Sequence, residues 1–272
     1  MKKIVALLMI AVLLMGICCA ASADKLSEIK EKGKIVVGAN ITFPPYEFYW
    51  ANPETGAEEI AGFDMMLAKG IAEELGVECE IADQAFSGLI TALSVGELDC
   101  IISGLAIKPE RLEVVDFSDP YFAGEQILLV RKDDFDTYKT VEDMKGKRIG
   151  AQTGSLQAGI LADQFTESEE YIIESPAILA LDLVQGNIDG WLITDLVAKQ
   201  YMVAYPDTLQ ISEVPVDYDS SAGIGVAVQK GDNASLLEII NAYIARVKAD
   251  GTFDSWVDAA VAQSASLLDK AE

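Results

Sequence analysis

The feature that most constrains this chain is the alternation of short apolar runs with stretches of helical period. Residues 34–39 (KIVVGA) read as a strand. Residues 63–75 carry Phe63, Met66, Leu67, Ile71 and Leu75 on one side of a helix, which Gly76 ends. Strand 77–81, helix 87–94, the turn Val95-Gly96-Glu97 and strand 98–102 follow. A β-α-β-α-β order predicts parallel strands joined by crossover helices. After Glu125 the pattern restarts. Strands are predicted at 126–131, 148–151, 171–173 and 188–193. Helices are predicted at 140–145 (capped by Thr140), 154–165, 176–186 and 195–205. A further strand at 223–229, a long helix at 233–251 and a short last helix from Trp256 complete the chain. The expectation is two α/β lobes, with no Pro- or Ser-rich linker between them.

Charge narrows the function. The 272 residues carry 44 acidic and 20 basic side chains, a net charge of −24. Phosphate recognition needs basic clusters, so nucleic acid is excluded as a partner. The longest basic run past the start, Lys145-Gly-Lys-Arg148, reads as a solvated turn before a strand. The chain has no histidine, which removes His-based zinc sites and Ser-His-Asp or Cys-His catalysis. No Gly-x-x-x-x-Gly-Lys-Ser/Thr loop is present to cradle a nucleotide. No cofactor or metal is expected.

The N-terminus reads as an export signal. Met1-Lys2-Lys3 is charged, residues 4–17 are apolar apart from Gly16, and Ala21-Ser22-Ala23 offers a small-x-small cleavage site. Cys18 and Cys19 end the apolar run where a lipoprotein carries its acylated cysteine, so a lipid anchor stays open beside cleavage after Ala23. Cys79 and Cys100 fall in separate predicted strands and are expected to be free thiols.

The halves echo each other. GELDCIISG (96–104) is matched by GNIDGWLIT (186–194): in both, an aspartate precedes an apolar strand that ends in a polar turn. Ligands of open α/β sheets bind outside the carboxyl ends of strands, which points to Ser103 and to Thr194-Asp195. After Ser103-Gly104, Pro109 opens a helical turn carrying Arg111. A lone guanidinium at the open end of a strand suits an anion. The alternative is a surface ion pair with Glu110 or Glu113.

In order and spacing, these segments resemble the polar amino acid-binding proteins of ABC importers, extracytoplasmic solute-binding proteins of family 3. VGANITFPPYEF (37–48), IAGFDMMLAKGIAEELGV (60–77), GLITALSVGELDCIISGLAIKPERLEVVDFSDPY (88–121), GKRIGAQTGS (146–155) and GNIDGWLITD (186–195) carry the resemblance over nearly the whole mature chain. It implies a type II periplasmic binding fold: two Rossmann-like lobes joined by two hinge strands, with a cleft that closes on its ligand. Lobe 1 would comprise 24–124 plus 220–272 and lobe 2 residues 125–219, with residues 1–23 removed. The opening strand would lie between the next two, keeping Cys79 and Cys100 apart.

The resemblance also implies roles. Arg111 would grip an α-carboxylate with its planar fork, helped by backbone N–H groups of the turn, especially at Ala106. Asp195 would bind the α-ammonium, although a carboxylate at a helix start is equally an ordinary cap. Phe43 and Phe86 would face the ligand, with core packing the alternative for Phe86. Ser103 and Gly104 would receive the ammonium, and Gln152, Ser155 and Leu156 would line the second lobe. Ala106 and Leu156 replace hydroxyl residues common in relatives. Asn40 stands where binders of basic amino acids often have aspartate. With Gln152 it suits a neutral polar side chain.

The expected function is capture of a free amino acid by a monomeric, exported, non-enzymatic receptor that delivers it to a membrane permease. Two alternatives remain. One is an exported dehydratase of prephenate-like acids, with Glu47 a candidate acid. The other is a ligand-sensing domain.

Overall fold

The computed structural model describes residues 24–231 and 233–268. The export signal, with Cys18 and Cys19, lies outside the described residues. Helix α1 (Lys25–Lys32) starts at Asp24, whose side chain accepts the Ser27 N–H, and ends at Gly33 in the left-handed conformation. It leads into β1 (Lys34–Ala39), which the sequence marks as a buried apolar run. The short strands β2 (Thr42–Phe43), β3 (Glu47–Ala51) and β4 (Glu58–Ala61) form a small antiparallel sheet. Helix α2 (Phe63–Leu75), β5 (Glu78–Asp83), α3 (Leu89–Ser94), β6 (Cys100–Ile101), the single turn α4 (Pro109–Leu112) and β7 (Val115–Phe117) follow.

The second half holds β8 (Gln126–Arg131), β9 (Arg148–Gln152), α5 (Leu156–Gln164), β10 (Glu169–Ile173), α6 (Pro176–Gln185), β11 (Gly190–Thr194), α7 (Asp195–Ala204) and β12 (Leu209–Ile211). The chain then returns with β13 (Ala227–Gln229), α8 (Ala234–Ala249) and α9 (Thr252–Leu268).

Two five-stranded sheets result, ordered β5-β1-β6-β13-β7 and β10-β9-β11-β8-β12. In each, the parallel crossovers run inside one lobe, and an antiparallel strand comes from the chain's passage between lobes. β1 lies between β5 and β6, pairing Ile35 with Cys79 and Val37 with Cys100. The two thiols are therefore two strand spacings apart and free. Asp99 and Asp189, each just before a strand, are structural. Asp99 holds Lys25, Lys32 and the Val36 N–H, and Asp189 accepts the Arg148 N–H.

Local chemistry explains the starts of the elements that reach the cleft. Ser155 caps α5 by accepting the Ala158 N–H, and Ser175 with Pro176 opens α6. Gly62 has φ +116°, and a Cβ there would collide with the Tyr46 carbonyl. Only glycine lets α2 start directly against the loop that carries Tyr46 and Glu47.

The two passages between lobes pair with each other, Ile224 N–H donating to the Phe122 carbonyl at 2.8 Å. Predicted strand 223–229 is thus shorter than expected. Ile224 bridges Ala106 and Phe122, and regular pairing resumes at Ala227.

The last helix is a larger departure. It begins at Thr252, not Trp256, and runs 17 residues. It packs on α2 and β3 of the first lobe and on α7 of the second. The buried Ser264 hydroxyl donates to Gln200 Oε1 at 2.7 Å. An aromatic column, Phe43–Tyr46–Phe63–Phe122–Phe253, links the cleft wall to this helix, with neighbouring ring centroids 4.5–6.3 Å apart. No helix among the described residues is long and apolar enough to cross a membrane.

Candidate functional site

Between the lobes lies a cleft lined by polar, aromatic and charged side chains from both halves, where ligands of open α/β sheets bind. It brings together Asn40, Phe43, Phe86, Ser103, Gly104, Ala106, Arg111, Gln152, Ser155 and Leu156. Asp195 is absent from its walls. Glu47, Gly124, Gln126, Gln157, Thr194, Tyr218 and Ile224 also line it.

Arg111 is the central group. It sits in the one-turn helix α4, and the whole residue is 6% exposed. One guanidinium nitrogen donates to the Ala106 carbonyl at 2.7 Å, the other to the Gly154 carbonyl of the second lobe at 3.0 Å. The Phe86 ring lies 5.8 Å away. Among the described residues no carboxylate is paired with it. Glu110 is instead held by Lys108. Burial without a counter-ion lowers its pKa to about 10, so it stays charged at neutral pH. A buried cation met only by carbonyls is costly unless an anion arrives.

Asp195 is the counter-example. It opens α7, and its Oδ2 accepts from Lys199 Nζ at 2.7 Å, one turn along the same helix. Its other oxygen approaches Gly124, which does line the cleft. The motif located this carboxylate near the cleft but could not reveal the lysine.

The lobes meet across the cleft. Gln152 Nε2 donates to Asn40 Oδ1 at 3.1 Å and to the Glu174 carbonyl at 3.0 Å. Asn40 Nδ2 donates to the Gln84 carbonyl. These two amides thus bond each other and the backbone. In the second lobe, Gln157 Nε2 donates to Gln126 Oε1 at 2.7 Å.

Beneath the Ser103-Gly104 turn lie two buried acids. Ser103 Oγ donates to Glu47 Oε1 at 2.6 Å, and the Gly104 N–H donates to Asp64 Oδ2 at 2.7 Å. The Ser103 hydroxyl oxygen also accepts the Asn40 N–H. Sequence reasoning offered Glu47 only as an acid for a rival chemistry and missed Asp64. Its only signal is a carboxylate among the apolar positions of α2. Tyr218 and Ile224 come from the returning passage and carried no signal, because only tertiary folding brings them here.

The comparisons agree with the fold. The family model for bacterial extracellular solute-binding proteins, family 3, matches residues 35–259. The chain is 35% identical over 261 residues to the ABC transporter arginine-binding protein 1 of Escherichia coli K12, covering 94% of this chain and 99% of that protein. An amino acid ABC transporter substrate-binding protein of Streptococcus pneumoniae, solved bound to L-arginine, aligns with TM-score 0.82 and 34% identity, over 87% of this chain and 98% of that one. An ancestral amino acid-binding protein, a precursor of cyclohexadienyl dehydratase, aligns with TM-score 0.76 and 31% identity, over 86% and 97%. With the fold, the cleft and the family match in agreement, this chain belongs to the bacterial extracellular solute-binding proteins, family 3.

Proposed function

We propose that the protein is the substrate-binding component of an ABC importer. It captures a free L-amino acid between its lobes and hands it to a membrane permease. The observation that carries this reading is Arg111, a buried guanidinium at the cleft with no carboxylate partner among the described residues. An α-carboxylate supplies the missing charge in the bidentate geometry that a guanidinium prefers.

In this reading Ser103, Gly104 and Ala106 hold the ligand's backbone atoms from the first lobe, and Ser155 and Leu156 do so from the second. Asp195 exchanges Lys199 for the α-ammonium. Phe43 and Phe86 flank the side chain. Asn40 and Gln152, which suggested a neutral polar ligand, are already bonded to each other. Glu47 is the carboxylate that lines the cleft among the described residues. We therefore assign a cationic side chain and name L-arginine as first candidate, in keeping with the ligands named for the relatives above.

Arg111 is the only cation lining the cleft among the described residues. A dianionic acid would need two, which favours a receptor over a dehydratase. The working unit is a monomer with lobes bounded at 24–124 plus 220–272 and at 125–219. It is exported by residues 1–23, with Cys18 or Cys19 available for lipid attachment.

Titration calorimetry tests this on residues 24–272, unfolded and refolded to strip carried-over ligand, against the standard L-amino acids. Tight binding led by arginine is expected. Silence from demonstrably refolded protein would turn the search to other small carboxylates and reopen the enzyme.

A further inference from the structure

The acids below the cleft are more than packing. Glu47 is 1% exposed and Asp64 0%. Glu47 rises from β3 and Asp64 from the first turn of α2. Each uses one oxygen to anchor the turn that closes the cleft floor: Glu47 Oε1 accepts from Ser103 Oγ, and Asp64 Oδ2 from the Gly104 N–H and the Tyr121 hydroxyl at 2.9 Å. The remaining oxygens, Glu47 Oε2 and Asp64 Oδ1, are buried and receive no hydrogen from any other described group. The two carboxyls anchor consecutive residues of one buried turn, Ser103 and Gly104, and so stand as near neighbours. Two carboxylates so close cannot both ionise without a compensating cation, and a proton between them satisfies both orphan oxygens.

Among the described residues no cation is paired with either acid. The charged or titratable neighbours of the pair are Tyr46 from the loop before β3, Tyr121 after β7, Asp83 from β5 and, beside Tyr46, Asp195 from α7. All are acids or phenols. No salt bridge among the described residues involves either carboxyl.

We propose that Glu47 and Asp64 form a proton-holding pair beneath the cleft, that a cationic ligand expels a proton from it on binding, and that Asp64 is thereby the positioning residue that couples affinity to pH. The inference rests on the function proposed above. Glu47 reaches the cleft, and Asp64 acts through Glu47 and the Gly104 N–H. Burial pushes Asp64 up to about 7 and, together with the Asp64 charge, raises Glu47 well above the usual carboxylate range. The two titrate as one unit. The sign follows. A ligand cation favours the ionised pair, so protons leave on binding and affinity for a cation rises as pH climbs through neutrality. The chain has no histidine, so no imidazole titrates in this window.

The test is calorimetry of L-arginine on the refolded 24–272 protein at pH 7, in two buffers of different ionisation enthalpy, then from pH 5.5 to 8. We expect net proton release and at least about tenfold tighter binding at the upper end. L-citrulline, the neutral isostere, should release markedly fewer protons. In Asp64→Asn the amide donates to Glu47 and keeps it ionised. Release should vanish and affinity become pH-independent, whereas a merely structural role would weaken binding equally at every pH. Glu47→Gln is the second variant if Asp64→Asn does not fold. Arginine binding without proton exchange in the wild-type protein would overturn the inference while leaving the receptor intact. Binding of no amino acid would remove both, a result distinct from the former.

Discussion

Arg111, in the helical turn after β6, and Asp195, directly after β11, are charged groups at the cleft end of a sheet strand in either lobe, yet the fold treats their charges in opposite ways. Arg111 is buried and met only by carbonyl oxygens, one of them from the facing lobe. The Asp195 side chain is 25% exposed, and its charge is already paired with Lys199. The first lobe therefore presents an unanswered charge in a rigid setting, and the second presents one that must leave a partner before it can serve. Binding free energy should concentrate on the first lobe. The second should contribute selection and closure.

The largest break in that asymmetry is Arg111→Ala. Truncating one partner of a buried charge pair costs about 2–5 kcal/mol, so amino acid affinity should fall by roughly 30-fold to several thousand-fold. Circular dichroism should show an intact fold. Near-normal affinity in calorimetry would sink the assignment. Arg111→Lys should recover little, because a point charge cannot form the two-pronged contact.

Asp195→Asn comes next. Its net loss is reduced because Lys199 is released at the same time, and about fivefold is expected, the upper end for a partly exposed ion pair. The informative readout is the comparison with a des-amino analogue. The amino acid should suffer and the analogue should not. Equal losses would return Asp195 to helix capping alone.

Phe43→Leu and Phe86→Leu probe the walls. Exchanging an aromatic face for an aliphatic one beside a cationic stem should cost about 0.5–1 kcal/mol each, a few-fold in Kd. The loss should be larger for arginine than for a neutral ligand. A loss of thermal stability with unchanged affinity would make Phe86 a packing residue. Lys199→Ala should have the smallest effect and the opposite sign. Freed from its partner, Asp195 should bind the ammonium about twofold more tightly, a fraction of a surface ion pair. Weaker binding would mean that the pair orients the carboxylate rather than competing for it.

Legibility in the sequence followed burial. β1 and β8 were read to the residue because buried strands are apolar runs. Helix α2 was legible from its apolar positions and Gly76, whose left-handed conformation ends it. The β2–β4 hairpins escaped notice. Their strands are only two to five residues long, and their loop, ANPETGAEE (51–59), reads as a polar turn. The last helix was placed late and short because its buried face includes Ala260 and Ser264. Small residues weigh little in a hydrophobic pattern, yet they let α9 approach α7 closely.

In the site, motif spacing located the residues on strand ends. It could not locate what those residues meet. Asp64 lies 17 positions from Glu47 and 40 from Gly104, with no pattern to join them. Nor could it tell that Asn40 and Gln152, 112 positions apart, would bond each other.

Sequence by itself determined the order of elements, the two-lobed class, the exclusion of histidine chemistry and the strand ends that meet at the cleft. These follow from local periodicity and composition, which each residue carries wherever it folds. Only the tertiary structure decided which charges are answered. Among the described residues Arg111 is left without an acid, Asp195 is paired with Lys199, and Glu47 is buried beside Asp64 under one turn. Charge compensation and desolvation depend on distances between groups far apart along the chain, and those distances exist only once the lobes have packed.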